Sequence, residues 1–598
     1  MLYVPELQNT LNQDQWILAN QRLLAKMISE YMYEGMIHPE KIEESIYQLE
    51  VKEGKLYQFE ARARYFDSYD VKADSIEVTI GEEKRTAESA IEFLLDIQPL
   101  IGMSAETAGH LVRELNHTLM ADVHLLKEKK TSDELINVDY AELEGYMTGH
   151  PWITYNKGRI GFGYDDYLKY APERQQTIQF QWIAVHNKIA SFQSVDGLSF
   201  NDLVESELSE HERQEFNQSI EVYGADPNNY YIMPVHEWQW KNVIVPQFAE
   251  DLAKQLIIPL GTGNDEYLPQ QSIRTFVNRS DSSKHHVKLP MSILNTLVYR
   301  GLPSERTLIA PKITEFIKGI YENDDFLKNQ CRVILPGEIA SMDVTHRYFD
   351  KLEHAPYQYL EMLGTIWRES IYTYLEDGEQ AITLAALLHE DHQGKPFIQS
   401  LIEQSELTTE EWMEKFFGIV MDPLLHFMYQ YGTVFSPHGQ NTILVLKNNQ
   451  PQRLAVKDFV DDVNISDQPF EELSGLTQEL KNVLRSEPPE GLTQFIFTGL
   501  FICHLRYLAS LLDNRKMLSD DVFWRYLAES IKNYQEKFPH LQERFELFDF
   551  FQDKLTKLCL NRNRMVDYGY EDGDDRPHAS EYGKVNNALS LWKNTVIQ

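Results

Sequence analysis

Two short polar runs hold the densest chemistry in this chain. His438-Gly439-Gln440-Asn441 stands just before an apolar run, Thr442-Ile443-Leu444-Val445-Leu446, and Lys457-Asp458 closes a second, Arg453-Leu454-Ala455-Val456. The runs flank Asn448-Asn449-Gln450-Pro451, so the segment predicts a β-hairpin. An antiparallel pair brings its open ends together, and Asn441 and Asp458 would then face one site although 17 positions separate them. An Asn carbonyl and an Asp carboxylate are hard oxygen donors, the set that holds Mg²⁺ against nucleotide phosphates. Polar caps on a surface hairpin are the plainer reading. His, Gln, Asn and Lys-Asp bracketing one apolar hairpin favour the metal–nucleotide site.

A second cluster runs from Gln270 to Arg300. Ser272, Arg274 and Thr275 are followed by Lys288 on a strand-like stretch and by Arg300 at the end of the apolar segment Ile293 to Tyr299. Cations and hydroxyls suit phosphate oxygens, Arg as a planar fork and Lys as a point charge. On residue types alone, surface salt bridges explain this cluster equally well. A third group is Gly149-His150-Pro151 followed by Lys157 and Arg159, a turn holding a histidine with two cations beyond it. There is no Walker A loop, Rossmann glycine fingerprint or GxSxG elbow. His389-Glu390-Asp391-His392 lacks the gap of a zinc helix, and Asp461-Asp462-Val463-Asn464 lacks the glycine and final glutamate of an EF-hand loop. Pro234-Val235-His236-Glu237-Trp238 reads as structural.

These groups must be positioned by a large chain. Its 598 residues exceed one simple core and suggest about three to four domain-sized units. Helical spacing marks Gln15 to Tyr33 and Ser89 to Leu125, and the first ~150 residues read as mostly helical. Leu56 to Ala61 and Ser75 to Ile80 alternate as strands. The middle, Gly145 to about Arg300, is mixed. From Thr365 helical patterns dominate, as in Gln380 to Leu388 and Leu492 to Leu512. The run Glu571-Asp572-Gly573-Asp574-Asp575 reads as a solvated loop. The net charge of -36 opposes nucleic-acid binding. It serves solubility first, and would also favour cationic substrates such as alkylamines. No stretch is expected to approach the ~20 apolar residues of a membrane span, and no export signal is expected from Met1-Leu2-Tyr3-Val4-Pro5-Glu6. Cys331, Cys503 and Cys559 form no CxxC pair, which suits a reducing cytoplasm.

Taken in order, these motifs resemble the IucA/IucC family of NRPS-independent siderophore synthetases, over about Leu23 to Asp567. The markers are Gly149-His150-Pro151 with Lys157, Arg159, Gly161 and Phe162, then Ile232 to Trp240, Gln271 to Thr275, His438 to Asn441 and Lys457-Asp458. Within the family, Gly261-x-Gly263-x-Asp265-Glu266-Tyr267-Leu268, Gly161-Phe162-Gly163 and Leu558 to Arg562 look like the desferrioxamine, putrebactin and bisucaberin synthetases. The chain departs from the wider family at Trp152-Ile153-Thr154, where many members carry a second His-Pro, and at Glu237, where Pro is usual. The first departure weakens a citrate-using assignment.

The resemblance implies an α+β fold like a cupped hand, with helical amino- and carboxyl-terminal parts around a mixed-sheet palm. Thumb-like residues 1–145, fingers-like residues 146–365 and palm-like residues 366–598 would be its parts. It implies an ATP-dependent ligase that adenylates a carboxylate, releases pyrophosphate, and passes the acyl group to an amine with loss of AMP. The substrate would be an N-hydroxy-N-succinyl diamine, built on putrescine or cadaverine, joined head to tail and closed into a hydroxamate macrocycle. A citrate- or citryl-amide-using synthetase of the aerobactin or petrobactin kind is the alternative, and a kinase-like phosphotransferase a more distant one. By resemblance, Ser272, Arg274, Thr275, Lys288 and Gln440 hold ATP, with Lys157 and Arg159 near it, while Asn441 and Asp458 take Mg²⁺. Arg300 and His150 would lie by the reacting carboxylate, and His438 would contact phosphate or deprotonate the amine. A cytoplasmic homodimer without nucleic-acid or membrane partners completes the expectation.

Overall fold

The computed structural model describes residues 4–570, 573, 576 and 579–594. Most of the acidic run Glu571 to Asp575 thus lies outside the described residues; Gly573 O accepts from Tyr357 N at 3.2 Å. The amino-terminal helix Gln13–Tyr33 begins where Asn12 accepts from Gln15 N at 3.1 Å, an N-cap that satisfies an otherwise orphan donor. Leu24, Ile28 and Tyr31 fall three or four residues apart and are wholly buried. Each such side chain contributes roughly 1.5–3 kcal/mol on leaving water. They pack with a six-stranded sheet built on Ile46–Lys52 and Lys55–Arg64, whose inward residues Leu49, Val51, Tyr57 and Phe59 alternate as a half-buried sheet requires. The first ~150 residues therefore carry more strand than the helical patterns suggested.

The middle of the chain centres on a second six-stranded antiparallel sheet. Its spatial order is Tyr267–Pro269, Thr275–Asn278, His286–Lys288, Gly364–Arg368, Glu338–Val344 and Ala190–Ser194. Thr275 pairs with Lys288, and His286 with Arg368, so neighbouring strands carry Lys288 and Arg368 two residues apart in register. The hairpin Met291–Asn295 and Val298–Arg300 turns through Thr296 and Leu297, both at positive φ.

In the carboxyl-terminal part, Thr442–Lys447 pairs with Gln450–Val456, and Glu379–Thr383 completes a three-stranded sheet. The hairpin forms as expected, with Asn448 and Asn449 at φ 52° and 59°. Two left-handed residues are what a tight turn matching strand twist requires, and Asn tolerates them. The Gln380 to Leu388 stretch is not a helix. Its first part is that third strand, because pairing with Thr442–Lys447 outweighs the helix propensity of its Ala and Leu residues, and Leu384–Leu388 is a short 3₁₀ turn. Ile334 joins the two regions: its N donates to Leu454 O at 2.9 Å and its O accepts from Val456 N at 3.0 Å. The large carboxyl-terminal core also takes in Ile309, Ile313 and Ile317 from the helix Ser304–Glu322.

One sequence expectation is corrected here. Among the described residues, Pro489–Asn514 is long and apolar enough to cross a membrane, with a mean hydropathy of 1.7, although 72% of that window is buried inside the protein. Helices of this kind form the cores of large proteins. With about 46% helix and 22% strand, the molecule has the mixed helix-and-sheet class expected of it.

Candidate active site

The open end of the hairpin is where the chemistry collects. Lys457 N donates to Asn441 O at 3.1 Å, one step beyond the last strand pair, so the His438–Asn441 loop and the Lys457-Asp458 pair are neighbours. Asp458 sits at φ 71°, left-handed backbone that is unusual outside glycine, and starts the single helical turn Phe459–Asp462. That turn places Asp461 and Asp462 beside Asp458. Lys288 Nζ lies 2.5 Å from Asp458 Oδ1 and 2.9 Å from Asp461 Oδ2. Arg274 Nη2 reaches Asp461 Oδ2 at 3.0 Å, while its Nη1 donates to Gly301 O. Asn441 Nδ2 donates to Asp462 Oδ2.

These carboxylates are held in different states. Burial pushes Asp461 up, yet Lys288, Arg274 and Arg576 pull it far below the usual carboxylate range. Burial also opposes ionisation of Asp458, and Lys288 overrides it. Asp462 goes the other way: burial, then the charges of Asp458 and Asp461, raise it well above its ordinary value. A third oxygen acid crowded against two anions is a site that a divalent cation would relieve. Asn441, Asp458, Asp461 and Asp462 are all hard oxygen donors and therefore fit Mg²⁺. Among the described residues, no three His, Cys, Asp or Glu side chains are already gathered in metal-binding geometry, and Lys288 stands between two of the carboxylates.

Above this group opens a cleft of about 910 Å³. Ser272, Arg274, Thr275, Arg300, His438 and Gln440 line it, as do Asn441 and Asp458. Thr275 N donates to Ser272 Oγ at 3.1 Å, which orders the turn before the strand. Arg300 is tied by Nε to Asn295 O at 2.9 Å and by Nη2 to Thr296 O at 3.2 Å. Burial, with Arg274 and Arg576 nearby, lowers it to about 9. His438 Nδ1 accepts from Gln440 N at 3.3 Å, and burial lowers its pKa to about 4, so the ring is neutral near pH 7.

The structure brings most of the expected residues together, and four stand elsewhere. Lys288 stands behind the carboxylates rather than on the cleft wall. His150 lines an adjoining slot of about 120 Å³, shared with Ser272, Arg300, His438 and Gln440. Lys157 is not brought to the cleft: its Nζ is held by Asp122 at 2.7 Å and by Thr148 O, in a separate cavity. Arg159 is likewise away from it, with both terminal nitrogens on Glu173.

Several site residues were not foreseen. Asp461 and Asp462 lack the pattern of a calcium loop, yet their spacing of three and four from Asp458 puts all three on one helical turn. Arg368 enters the cleft by strand pairing, Arg306 donates to Val460 O at 3.0 Å, and Arg576 comes from near the carboxyl terminus to Gly301 O at 3.0 Å. No local signal marks these three. Within His389-Glu390-Asp391-His392, Asp391 is structural, accepting backbone N–H groups of Ser132, Gln393 and Lys395. So is His236, which caps Trp238 N at 3.0 Å.

Comparison with known proteins finds relatives that match nearly the whole chain. The IucA / IucC family model matches residues 139–389, and the model for ferric iron reductase FhuF-like transporter matches residues 410–573. The chain is 40% identical to the rhizobactin siderophore biosynthesis protein RhbF of Rhizobium meliloti (strain 1021), over 98% of both chains. It is 34% identical to putrebactin synthase of Shewanella sp. (strain MR-4), over 98% of this chain and 94% of that one. The structure of aerobactin synthetase IucC from a hypervirulent pathotype of Klebsiella pneumoniae superposes with a TM-score of 0.85 at 29% identity, covering 97% of this chain and 99% of that one.

Proposed function

We propose that this chain, which belongs to the IucA/IucC family of siderophore synthetases, activates a carboxylate with ATP and joins it to an amine of a second substrate molecule. The observation that carries the reading is the group Asn441, Asp458, Asp461 and Asp462 set against Lys288, Arg274 and Arg300 at one cleft. A protein with net charge -36 gathers cations there, and triphosphate chemistry needs both signs side by side.

In the first step a carboxylate oxygen attacks the α-phosphorus of ATP, the bond to the bridging β-phosphate oxygen breaks, and pyrophosphate leaves. In the second, the amine nitrogen attacks the acyl carbon, the C–O bond to AMP breaks, and the nitrogen's proton passes to solvent. Ser272, Arg274 and Thr275 would meet phosphate oxygens, and Arg300 would hold the carboxylate against the repulsion of the triphosphate. Asn441 and the three aspartates would hold Mg²⁺, which neutralises phosphate charge when bound. His438 has a narrower role than its residue type allows. With Nδ1 accepting from Gln440 N, the neutral ring keeps its proton on Nε2 and is a donor. That supports contact with a phosphate or carboxylate oxygen rather than proton abstraction.

For the substrate, the full-length likeness to putrebactin synthase supports an N-hydroxy-N-succinyl diamine that carries both the acid and the amine, joined into a cyclic hydroxamate. On this reading the enzyme is a cytoplasmic homodimer. Incubation with ATP, Mg²⁺ and a panel of N-hydroxy-N-succinyl diamines, citrate and 2-oxoglutarate tests it. AMP and pyrophosphate release with a product mass of joined hydroxamate units is expected. ADP release, or no nucleotide turnover with any acid, would overturn it.

A further inference from the structure

Three polar side chains lining the slot beside the cleft, Asn295, His389 and His504, each carry a buried atom without a hydrogen-bond partner, as does Arg159 Nε in a group whose terminal nitrogens are held by Glu173. Asn295 closes the strand Met291–Asn295, is 4% exposed, and has no hydrogen bond to its Oδ1. Its main-chain carbonyl is already taken by Arg300 Nε. His504 is 1% exposed, and its Nε2 has none either. It lies in Phe497–Leu505, a stretch wound as a π-helix, a bulge that often accompanies functional positions. Folded proteins keep few buried polar atoms unpaired, and Asn295 Oδ1, His389 Nδ1 and His504 Nε2 gathered in one cavity point to a polar ligand there.

The charge of the slot limits what that ligand is. Arg159 is compensated by Glu173, and Glu144 by Lys457 at 3.6 Å and by Gln271 N at 2.9 Å. Burial keeps His150, His438 and His504 neutral near pH 7. Among the described residues lining the slot, Arg300 is the cation without a carboxylate partner, and it stands at the passage to the cleft. One anionic group is therefore served at the mouth, and only neutral donors and acceptors lie deeper.

We infer that the slot takes the acyl chain of the acid substrate, its carboxylate at Arg300 and an uncharged amide-type group at Asn295 and His504. These two residues then select a monocarboxylate with a neutral hydroxamate chain over an acid with a second carboxylate, which would be buried there without a cation. The inference rests on the ligase reading and names residues within it.

The test compares wild type with Asn295→Ala, His504→Phe and His504→Gln, using ATP, Mg²⁺ and either N-hydroxy-N-succinylcadaverine or citrate. Asn295→Ala and His504→Phe are expected to raise KM for the hydroxamate acid roughly 10- to 100-fold, with KM for ATP within about threefold. His504→Gln, which keeps an amide nitrogen near the Nε2 position, is expected to recover part of the loss. A thermal melt checks that each variant is folded, and Asn295→Ala carries the test if His504→Phe is not. Unchanged KM for the acid, a parallel rise for ATP, or wild-type preference for citrate would overturn the inference while leaving the ligase reading intact. Failure of wild type to release AMP with any acid would overturn the ligase reading instead.

Discussion

Lys288 and Asp458 are 170 positions apart in sequence, and their side chains meet at 2.5 Å. This contact joins the central sheet to the carboxyl-terminal hairpin, and a second bond from the same nitrogen reaches Asp461. Lys288 is thus as much a structural ion as a binding one. Replacing it by Ala leaves two partly buried carboxylates facing Asp462 without their cation. We expect Lys288→Ala to lose about 2–3 kcal/mol of stability at pH 7 and roughly 10²–10³ in AMP release. Chemical denaturation alongside turnover checks both; a stable, active variant would remove Lys288 from the site.

Arg300→Lys is expected to fail as badly as Arg300→Ala. The guanidinium already spends Nε and Nη2 on the carbonyls of Asn295 and Thr296, and a single ammonium cannot hold that turn while meeting a carboxylate. Both variants should fall roughly 10²–10³ in AMP release and keep the wild-type melting temperature within a few degrees. Full activity in the lysine variant would contradict this double role of holding the turn and meeting the carboxylate.

Much of this site was legible in the sequence because hairpins are local. Alternating apolar residues about an Asn-Asn turn fix which ends meet, and so bring Asn441 to Lys457-Asp458. Cations are another matter. Lys157 and Arg159 looked available because nothing in the sequence shows that Asp122 and Glu173 will fold onto them. Arg368, Arg576 and Asn295 reach the site by long-range pairing and chain return, with no periodicity to announce them. Gln380 to Thr383 was misread for the same reason, its strand being imposed by the neighbour it pairs with.

Asp458→Asn should weaken the Mg²⁺ dependence of nucleotide binding. It removes one anion from the oxygen set and lets Asp462 ionise more easily, since the charge of Asp458 helps keep Asp462 protonated. Titrating Mg²⁺ at fixed ATP is expected to show a requirement raised roughly tenfold or more. An unchanged Mg²⁺ midpoint would move the metal elsewhere.

Gly439 is packed where an added methyl group would press on its neighbours. A Cβ there would lie 3.1 Å from His504 Nδ1 and 3.2 Å from Ala385 Cα. Gly439→Ala should shift the His438 loop, leave a folded protein, and lower turnover by about tenfold or more. Wild-type turnover with unchanged stability would show that the loop yields freely.

Away from the site, Glu114 gives a pH test of the core. Burial raises its carboxyl to about 7, with Oε1 lacking a hydrogen-bond partner. The folded state therefore holds this proton to higher pH than the unfolded chain does, so the contribution is favourable at low pH and is lost as pH rises from about 4.5 to about 7. Glu114→Gln lacks that loss. Relative to wild type it should gain up to about 3 kcal/mol between pH 4.5 and pH 8, seen as melting temperatures that move apart in its favour. A pH-independent difference would place the Glu114 titration in the ordinary range.

The central claim is that a carboxylate oxygen attacks the α-phosphorus of ATP at the cleft between Arg300 and the Asn441–Asp462 group. Carboxylate-¹⁸O-labelled N-hydroxy-N-succinyl diamine, turned over with ATP and Mg²⁺ and followed by mass spectrometry of the nucleotide, tests it most directly. The account predicts one ¹⁸O in the AMP released; label in inorganic phosphate with ADP as the nucleotide product, or AMP free of label, would contradict it.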